Sequence, residues 1–420
     1  MRNWAELPQD VLLVILQKLI IGKDYHRFAF VCRSWTGVVV NYLERYAPSG
    51  SPCLIVPAPG IASKSKSRRL LASPVGKDID KEQDFLPQVR VPLQDVYIGS
   101  HQGWLIMLTD AMGMYLLNPI SDTRINLPEI WLLELNNIYR YTIAMIYLEP
   151  MWPRLSFCRS KVILSTIPTA SDCFVLLIYG YKKLAFCKVG DEDWTFIDDK
   201  AFRYRIEKNF RFFMDAIYLK GQFYVVSARG EIFGFDLTVS EPKLTTMYAH
   251  GLHTNALIHR VPSHDWQLLW YLVECRGQLF RILQVEKRRI EEEDHVNQAE
   301  AIGIGAEHPH TPLDKLYCRV SYSSYCFEVC KLDTRSGSKP SWIQVDNFEG
   351  DAVFLGRNQS FSLSNPHEFG YKRNRIYFTD HASVNNDMGV FNLEDGTVEP
   401  LYKTNSRFIL PSAIWVIPKP

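Results

Sequence analysis

Gly103-Trp104-Leu105-Ile106-Met107, a turn through Gly113, then Met114-Tyr115-Leu116-Leu117-Asn118: this stretch decides the fold because it returns. Gly221-Gln222-Phe223-Tyr224-Val225-Val226 leads through Gly230 to Glu231-Ile232-Phe233-Gly234-Phe235-Asp236. Asn374-Arg375-Ile376-Tyr377-Phe378 leads through Gly389 to Val390-Phe391-Asn392-Leu393, and Gly277-Gln278-Leu279-Phe280 repeats the opening alone. Each full copy is an apolar strand, a turn, and a second strand with Asn or Asp at its end. The copies start 118, 56 and 97 residues apart. Those intervals fit one, two or three units of roughly 40–55 residues, the size of a four-stranded propeller blade. The predicted fold is therefore mainly β: a β-propeller of about six blades, or seven, over residues 48–420.

Working outward, the first 47 residues differ in character and predict a small module of three helices. Leu7-Pro8-Gln9-Asp10 before Val11-Leu12-Leu13-Val14-Ile15-Leu16 reads as a helix with proline in its first turn, where a missing N–H costs nothing. A second helix is expected over Asp24–Cys32 and a third over Ser34–Tyr46. Six consecutive apolar residues sweep more than one helical turn and leave no polar face. So small a unit has too little interior to bury them all. The surplus packs on the rest of the chain or waits for a partner.

The other end is equally apolar. Phe408-Ile409-Leu410 and Ile414-Trp415-Val416-Ile417 do not suit a free tail, and Cys53-Leu54-Ile55-Val56, bounded by Pro52 and Pro57, reads as a short strand. An open ring leaves unpaired strand edges. Ile414–Ile417 is accordingly expected to share a blade with Leu54–Val56, with Trp415 packed between blades. The charged run beginning Glu286-Lys287-Arg288-Arg289 and ending at Pro312 reads as an exposed loop, and Asp380–Asp387 as a shorter interruption. The basic stretch Ser63–Arg69 is a solvated loop or a nuclear-import signal.

Composition sets the outer bounds. Net charge is +1 over 420 residues, with no clustered excess of one sign to suggest a nucleic-acid or membrane surface. Hydrophobic content of 47% and charged content of 22% exclude wholesale disorder. Nine cysteines occur without a Cys-x-x-Cys pair, and Cys326/Cys330 is the closest approach, so reduced buried thiols are expected. A secretory signal and a membrane span are not expected, which predicts a soluble protein of cytoplasm or nucleus. No Gly-x-Ser-x-Gly elbow or phosphate-binding loop occurs. Gly303-x-Gly305 lacks the third glycine of a dinucleotide fingerprint, and the pairs His250/His253 and His308/His310 lack companion ligands. Asp236, Asp333 and Asn392 sit where strands end, which turn duty explains. No catalytic residue, metal site or cofactor is expected.

Leu7-Pro8-x-Asp10-Val11-Leu12, Ile15-Leu16-x-x-Leu19 and Val31-Cys32-Arg33-Ser34-Trp35 together resemble the F-box. The resemblance implies docking on the Skp-type adaptor of an SCF (Skp–cullin–F-box) ubiquitin ligase, and through it on cullin and RING subunits. It makes Leu7, Pro8, Val11, Leu12, Ile15, Leu19, Val31, Cys32 and Trp35 contact or module-core positions. The remainder is similar to the plant-type, KIB-like F-box-associated β-propeller family. The matching segments include Ser100–Leu105, Leu116–Pro119, Phe186–Trp194, Phe354–Ser360, Ile376–Asp380 and Asp387–Leu393. His101-Gln102-Gly103 departs from that family by one inserted residue. The implied role is a non-catalytic subunit whose propeller binds a target protein for ubiquitination and proteasomal degradation. The alternative is an F-box-bearing protein that sequesters its target. A ligand-binding or enzymatic propeller is the third reading, and lacks a visible ligand cluster.

Overall fold

The computed structural model describes residues 4, 7–17, 28, 31–46, 52–56, 70–72, 95–109, 113–119, 121–129, 160–170, 172–179, 183–197, 213–237, 243–248, 266–291, 319–334, 340–356, 359–379, 388–401 and 414–417. Helix α1 spans Gln9–Gln17 and α2 spans Arg33–Tyr46. Apart from Phe28, Val31 and Cys32, the segment expected to form the helix between them lies outside the described residues.

Strands follow. First come β1 (Cys53–Val56) and β2 (Leu70–Ala72). Sheet I holds β3 (Val96–His101), β4 (Trp104–Leu108), β5 (Met114–Leu117) and β6 (Arg124–Asn126). Sheet II holds β7 (Lys161–Leu164), β8 (Phe174–Tyr179), β9 (Lys183–Lys188) and β10 (Thr195–Phe196). Sheet III holds β11 (Phe213–Leu219), β12 (Gln222–Ser227), β13 (Ile232–Asp236) and β14 (Lys243–Tyr248). Sheet IV holds β15 (Trp266–Cys275), β16 (Gln278–Glu291), β17 (Arg319–Asp333) and β18 (Ser341–Gln344). Sheet V has five strands: β19 (Ala352–Leu355), β20 (Phe361–Leu363), β21 (Arg375–Phe378), β22 (Gly389–Asn392) and β23 (Val398–Pro400). The last strand, β24 (Ile414–Val416), pairs with β1 in a three-stranded closing sheet.

The repeat read from the sequence marks the second and third strands of a blade. Gln102-Gly103, Lys220-Gly221 and Arg276-Gly277 are two-residue turns, and all six residues have positive φ, between 50° and 90°. That geometry matches the twist of the flanking strands and favours glycine at its second position. Sheet II joins its first two strands through residues 165–173 instead, so the interval of 118 residues spans two sheets. The interval of 97 spans one, lengthened by the β16–β17 connection and by the extra strand of sheet V.

Strands β4, β5, β7 and β19 are buried along their whole length, which removes the alternation of a half-exposed strand. On β4, Trp104, Ile106 and Leu108 pack toward sheet II, while Leu105 and Met107 pack toward the closing sheet. Apolar clusters likewise join sheets II and III, III and IV, IV and V, and V and the closing sheet. The succession therefore returns to its start: the architecture is a β-propeller. Register puts Cys53 opposite Val416, Leu54 opposite Trp415 and Ile55 opposite Ile414, as expected for ring closure.

One expectation fails. Glu286–Glu291 is strand rather than loop, paired residue by residue with Arg319–Ser324 across a bulge. The partner's Tyr, Ser and Val residues supply a ladder that the charged composition alone hides. Residues 292–318 and 380–387 lie outside the described residues.

Candidate partner-docking site

Helices α1 and α2 pack on each other around their own small core. Leu12 and Leu16, one turn apart on α1, are fully buried against Phe28, Trp35, Val38 and Val39. The Phe28 and Trp35 rings lie 4.4 Å apart, and the Trp35 indole donates to the Trp4 carbonyl at 3.1 Å. The Leu12 amide donates to the Pro8 carbonyl at 3.1 Å, so Pro8 opens the first turn as the sequence predicts. At the other helix, the Thr36 amide and hydroxyl both donate to the Cys32 carbonyl, at 3.0 and 3.1 Å.

Part of what this core leaves outside is apolar. Val11 is 41% exposed, Val14 54% and Val31 53%, and Pro8 is also exposed. Pro8, Val11 and Val14 follow at intervals of three on α1, so they share one side of it. Of the residues singled out by sequence, Leu12 and Trp35 belong to the interior, and Leu7, Ile15 and Cys32 are half-buried beside it. Pro8, Val11 and Val31 are on the outside. Leu19 lies outside the described residues. Sequence reasoning missed Val14 and Trp4, the latter 68% exposed. Val14 was legible in principle, because it lies in the run Val11–Leu16 that has no polar face.

Among the described residues no group of three or more His, Cys, Asp or Glu is placed to hold a metal ion. Cys326 and Cys330 sit four residues apart on one strand, roughly 13 Å, too far to share an ion. The paired histidines 250/253 and 308/310 and the Gly303-x-Gly305 tract lie outside the described residues. Asp236 and Asp333 end β13 and β17, and Asn392 ends β22 with its side chain accepting from the Glu394 amide at 3.0 Å, which is turn duty. No helix among the described residues is long and apolar enough to cross a membrane.

Two buried charges are tied to neighbouring sheets. Asp215 accepts from Lys161 Nζ at 2.7 Å, from the Ala216 and Leu272 amides at 2.7 and 3.0 Å, and from Ser360 Oγ at 3.2 Å. Burial pushes the Asp215 carboxyl up and the Lys161 ammonium down, and each partner opposes the other's shift. Arg281 is held between the Trp270 and Trp342 rings and donates to the Gly230 carbonyl at 2.7 Å, tying sheet IV to a turn of sheet III.

The KIB1-4 beta-propeller family matches residues 78–392, three quarters of the chain. The chain belongs to that family. Around its KIB1-4 propeller the similarity extends to both ends. A relative described as "F-box protein SKIP23" from Arabidopsis thaliana is 22% identical, over 99% of this chain and 96% of its own length. "F-box protein At2g17036" from the same plant is 23% identical, over 99% of this chain and 95% of itself. "Putative F-box protein At5g55150" is 24% identical, over 65% of this chain and 67% of its own length. The first two alignments take in the helical residues ahead of the KIB1-4 match, so the similarity to proteins described as F-box proteins covers both parts of the chain.

Proposed function

We propose that this chain is the substrate-recognition subunit of an SCF-type ubiquitin ligase. Residues 1–47, a three-helix F-box module, dock a Skp-type adaptor, and through it cullin and RING subunits. Residues 48–420, a six-bladed propeller, hold a target protein for ubiquitination in the cytoplasm or nucleus. The observation that carries the reading is the apolar stripe of Pro8, Val11 and Val14, with Val31 also outside the core. It is supported by full-length similarity to plant proteins described as F-box proteins. The six blades are supported by six sheets joined in sequence by apolar clusters.

Leu7, Pro8, Val11, Ile15, Leu19, Val31 and Cys32 are assigned to the adaptor contact, Leu12 and Trp35 to the core that holds their shape. The chain supplies proximity: a target lysine held near a charged conjugating enzyme meets it at a high effective concentration. No side chain here makes or breaks a bond.

Val11→Asp with Val14→Asp tests the reading. Both side chains are outside the core, and Val11 lies in the first turn of the helix, where an acidic residue is tolerated. Burying two valines contributes about 2–4 kcal/mol, so adaptor binding measured by calorimetry should weaken about 100-fold while the propeller melts as before. Ubiquitination of proteins captured by the propeller should fall in parallel. Unchanged adaptor affinity removes the reading.

A further inference from the structure

Sheet V is built differently from the others, and the difference points inward. Its order is β20-β19-β21-β22-β23, with β19 parallel to β21, so β20 is an added strand at the inner edge. The inner strands touch in the succession β24, β3, β7, β11, β15, β20. In that ring sheet V neighbours only sheet IV and the closing sheet.

The residues leading into β20 reach further than neighbours. Gln359 Oε1 accepts from the Gln102 amide of sheet I at 3.1 Å. Ser360 Oγ donates to Asp215 of sheet III at 3.2 Å. Sheets I and III are each two places away from sheet V, in opposite directions round the ring. A segment that bonds to both lies inside the circle, not on its wall. Ser362 Oγ donates to the Glu274 carbonyl of sheet IV at 2.7 Å. Gly356, where β19 ends, is packed so closely on Trp415 of the closing sheet that an added Cβ would sit 3.1 Å from the indole. Sheet II is reached through the second contact of Asp215, the Lys161 ammonium.

We propose that Gln359–Leu363 is an internal plug: it lies inside the ring, bonds directly or through Asp215 to the inner strands around it, and narrows the axis with the half-buried Gln359, Ser360 and Ser362. The chemistry of the centre agrees. Both Asp215 oxygens are occupied by four donors from sheets II, III, IV and V, so this buried carboxylate has no capacity left for an outside cation. The plug also explains why an extra strand is tolerated on the inner edge. Its polar groups replace the water that a channel would hold, and every one named here has a partner.

Hydrogen exchange read by mass spectrometry on the full chain tests this. The double variant Gln359→Ala, Ser360→Ala removes both long reaches, while Val398→Ala perturbs the outer strand of the same sheet, where Val398 is exposed. The plug requires that the double variant exchange about tenfold faster at the Gln102 amide and across Phe213–Leu219, two sheets away on either side, with the outer-strand variant leaving both unchanged. Deprotection confined to sheets IV, V and the closing sheet, or no change anywhere, overturns the proposal. If the double variant fails to fold, Gln359→Ala alone carries the test at Gln102, whose amide then loses its one plug acceptor.

Discussion

Trp415→Ala removes the side chain on which ring closure rests. The indole is 2% exposed and its ring meets Phe354 edge-on at 5.0 Å. Its N–H donates to the Leu355 carbonyl at 3.0 Å, and its own carbonyl accepts from Ser100 Oγ of sheet I. Truncating a buried aromatic to alanine costs about 3–5 kcal/mol through lost transfer energy and the cavity left behind. The Leu355 carbonyl is not orphaned, because the Thr379 amide also donates to it at 3.1 Å. The hydrogen bond therefore adds only about 1 kcal/mol, and the total is about 4–6 kcal/mol. Against a margin of about 5–15 kcal/mol for a whole domain, that is a large share. At about 2 °C per kcal/mol for a chain of this size, the melting temperature should fall by about 10 °C. Trp415→Phe keeps most of the volume and should cost about half as much. Scanning fluorimetry with light scattering reads both. Leu54→Ala faces Trp415 in register, so once closure is lost the second substitution should add little, and the two costs should sum to more than the double variant shows. Additive losses, or a Trp415→Ala melting within 2 °C of the parent, would refute closure through this pair.

Other positions test the interior. Lys161→Met strands the Asp215 carboxylate and should destabilise by about 3–5 kcal/mol in a denaturant melt; an unchanged midpoint would show that the pair does not matter. Gly389→Ala places a Cβ 2.3 Å from Phe378 Cζ; overpacking of about 1–3 kcal/mol should appear as a lowered melting temperature and reduced soluble yield. Burial pushes the Cys53 and Cys275 thiols up to about 12 and Cys330 to about 11. Thiols react as thiolates, so at pH 8 these three should stay unmodified by a maleimide in the folded chain and label fully in denaturant.

The sequence made the start of the second strand legible in three blades because the turn before it carries a backbone demand that residue types reveal. Gly103, Gly221 and Gly277 stand at φ of 90°, 85° and 76°, a region a β-carbon resists, so glycine recurs there. Gln102, Lys220 and Arg276 hold the other positive-φ place at about 50° without any such mark, which is why the turns read as single glycines rather than pairs. Ring closure was legible for a different reason: an apolar terminal segment has to be covered, and Cys53–Val56 offered an edge.

What escaped was set by distance. Nothing local in Ala352–Leu363 says that β19 lies parallel to β21 with β20 inside it, because the partners that fix that order are Gln102, Asp215 and Glu274, 88 to 257 residues away. Burial of charge escaped likewise. Arg281, Gln284 and Glu286 are interspersed among apolar residues along β16, yet all three are buried. The reason is that β16 is walled by sheets III and V, so its polar side chains must find partners inside: Gly230 for Arg281, Tyr271 and Glu286 for Gln284. In the helical pair the same physics runs in reverse. Leu12 and Val11 are adjacent and equally apolar, but only Leu12 faces a second helix, and two helices have one shared side. Val11 and Val14 stay outside because the core was already filled by Leu16, Phe28 and Trp35. Among the described residues nothing covers these valines, and they are the surface on which the proposed adaptor contact rests.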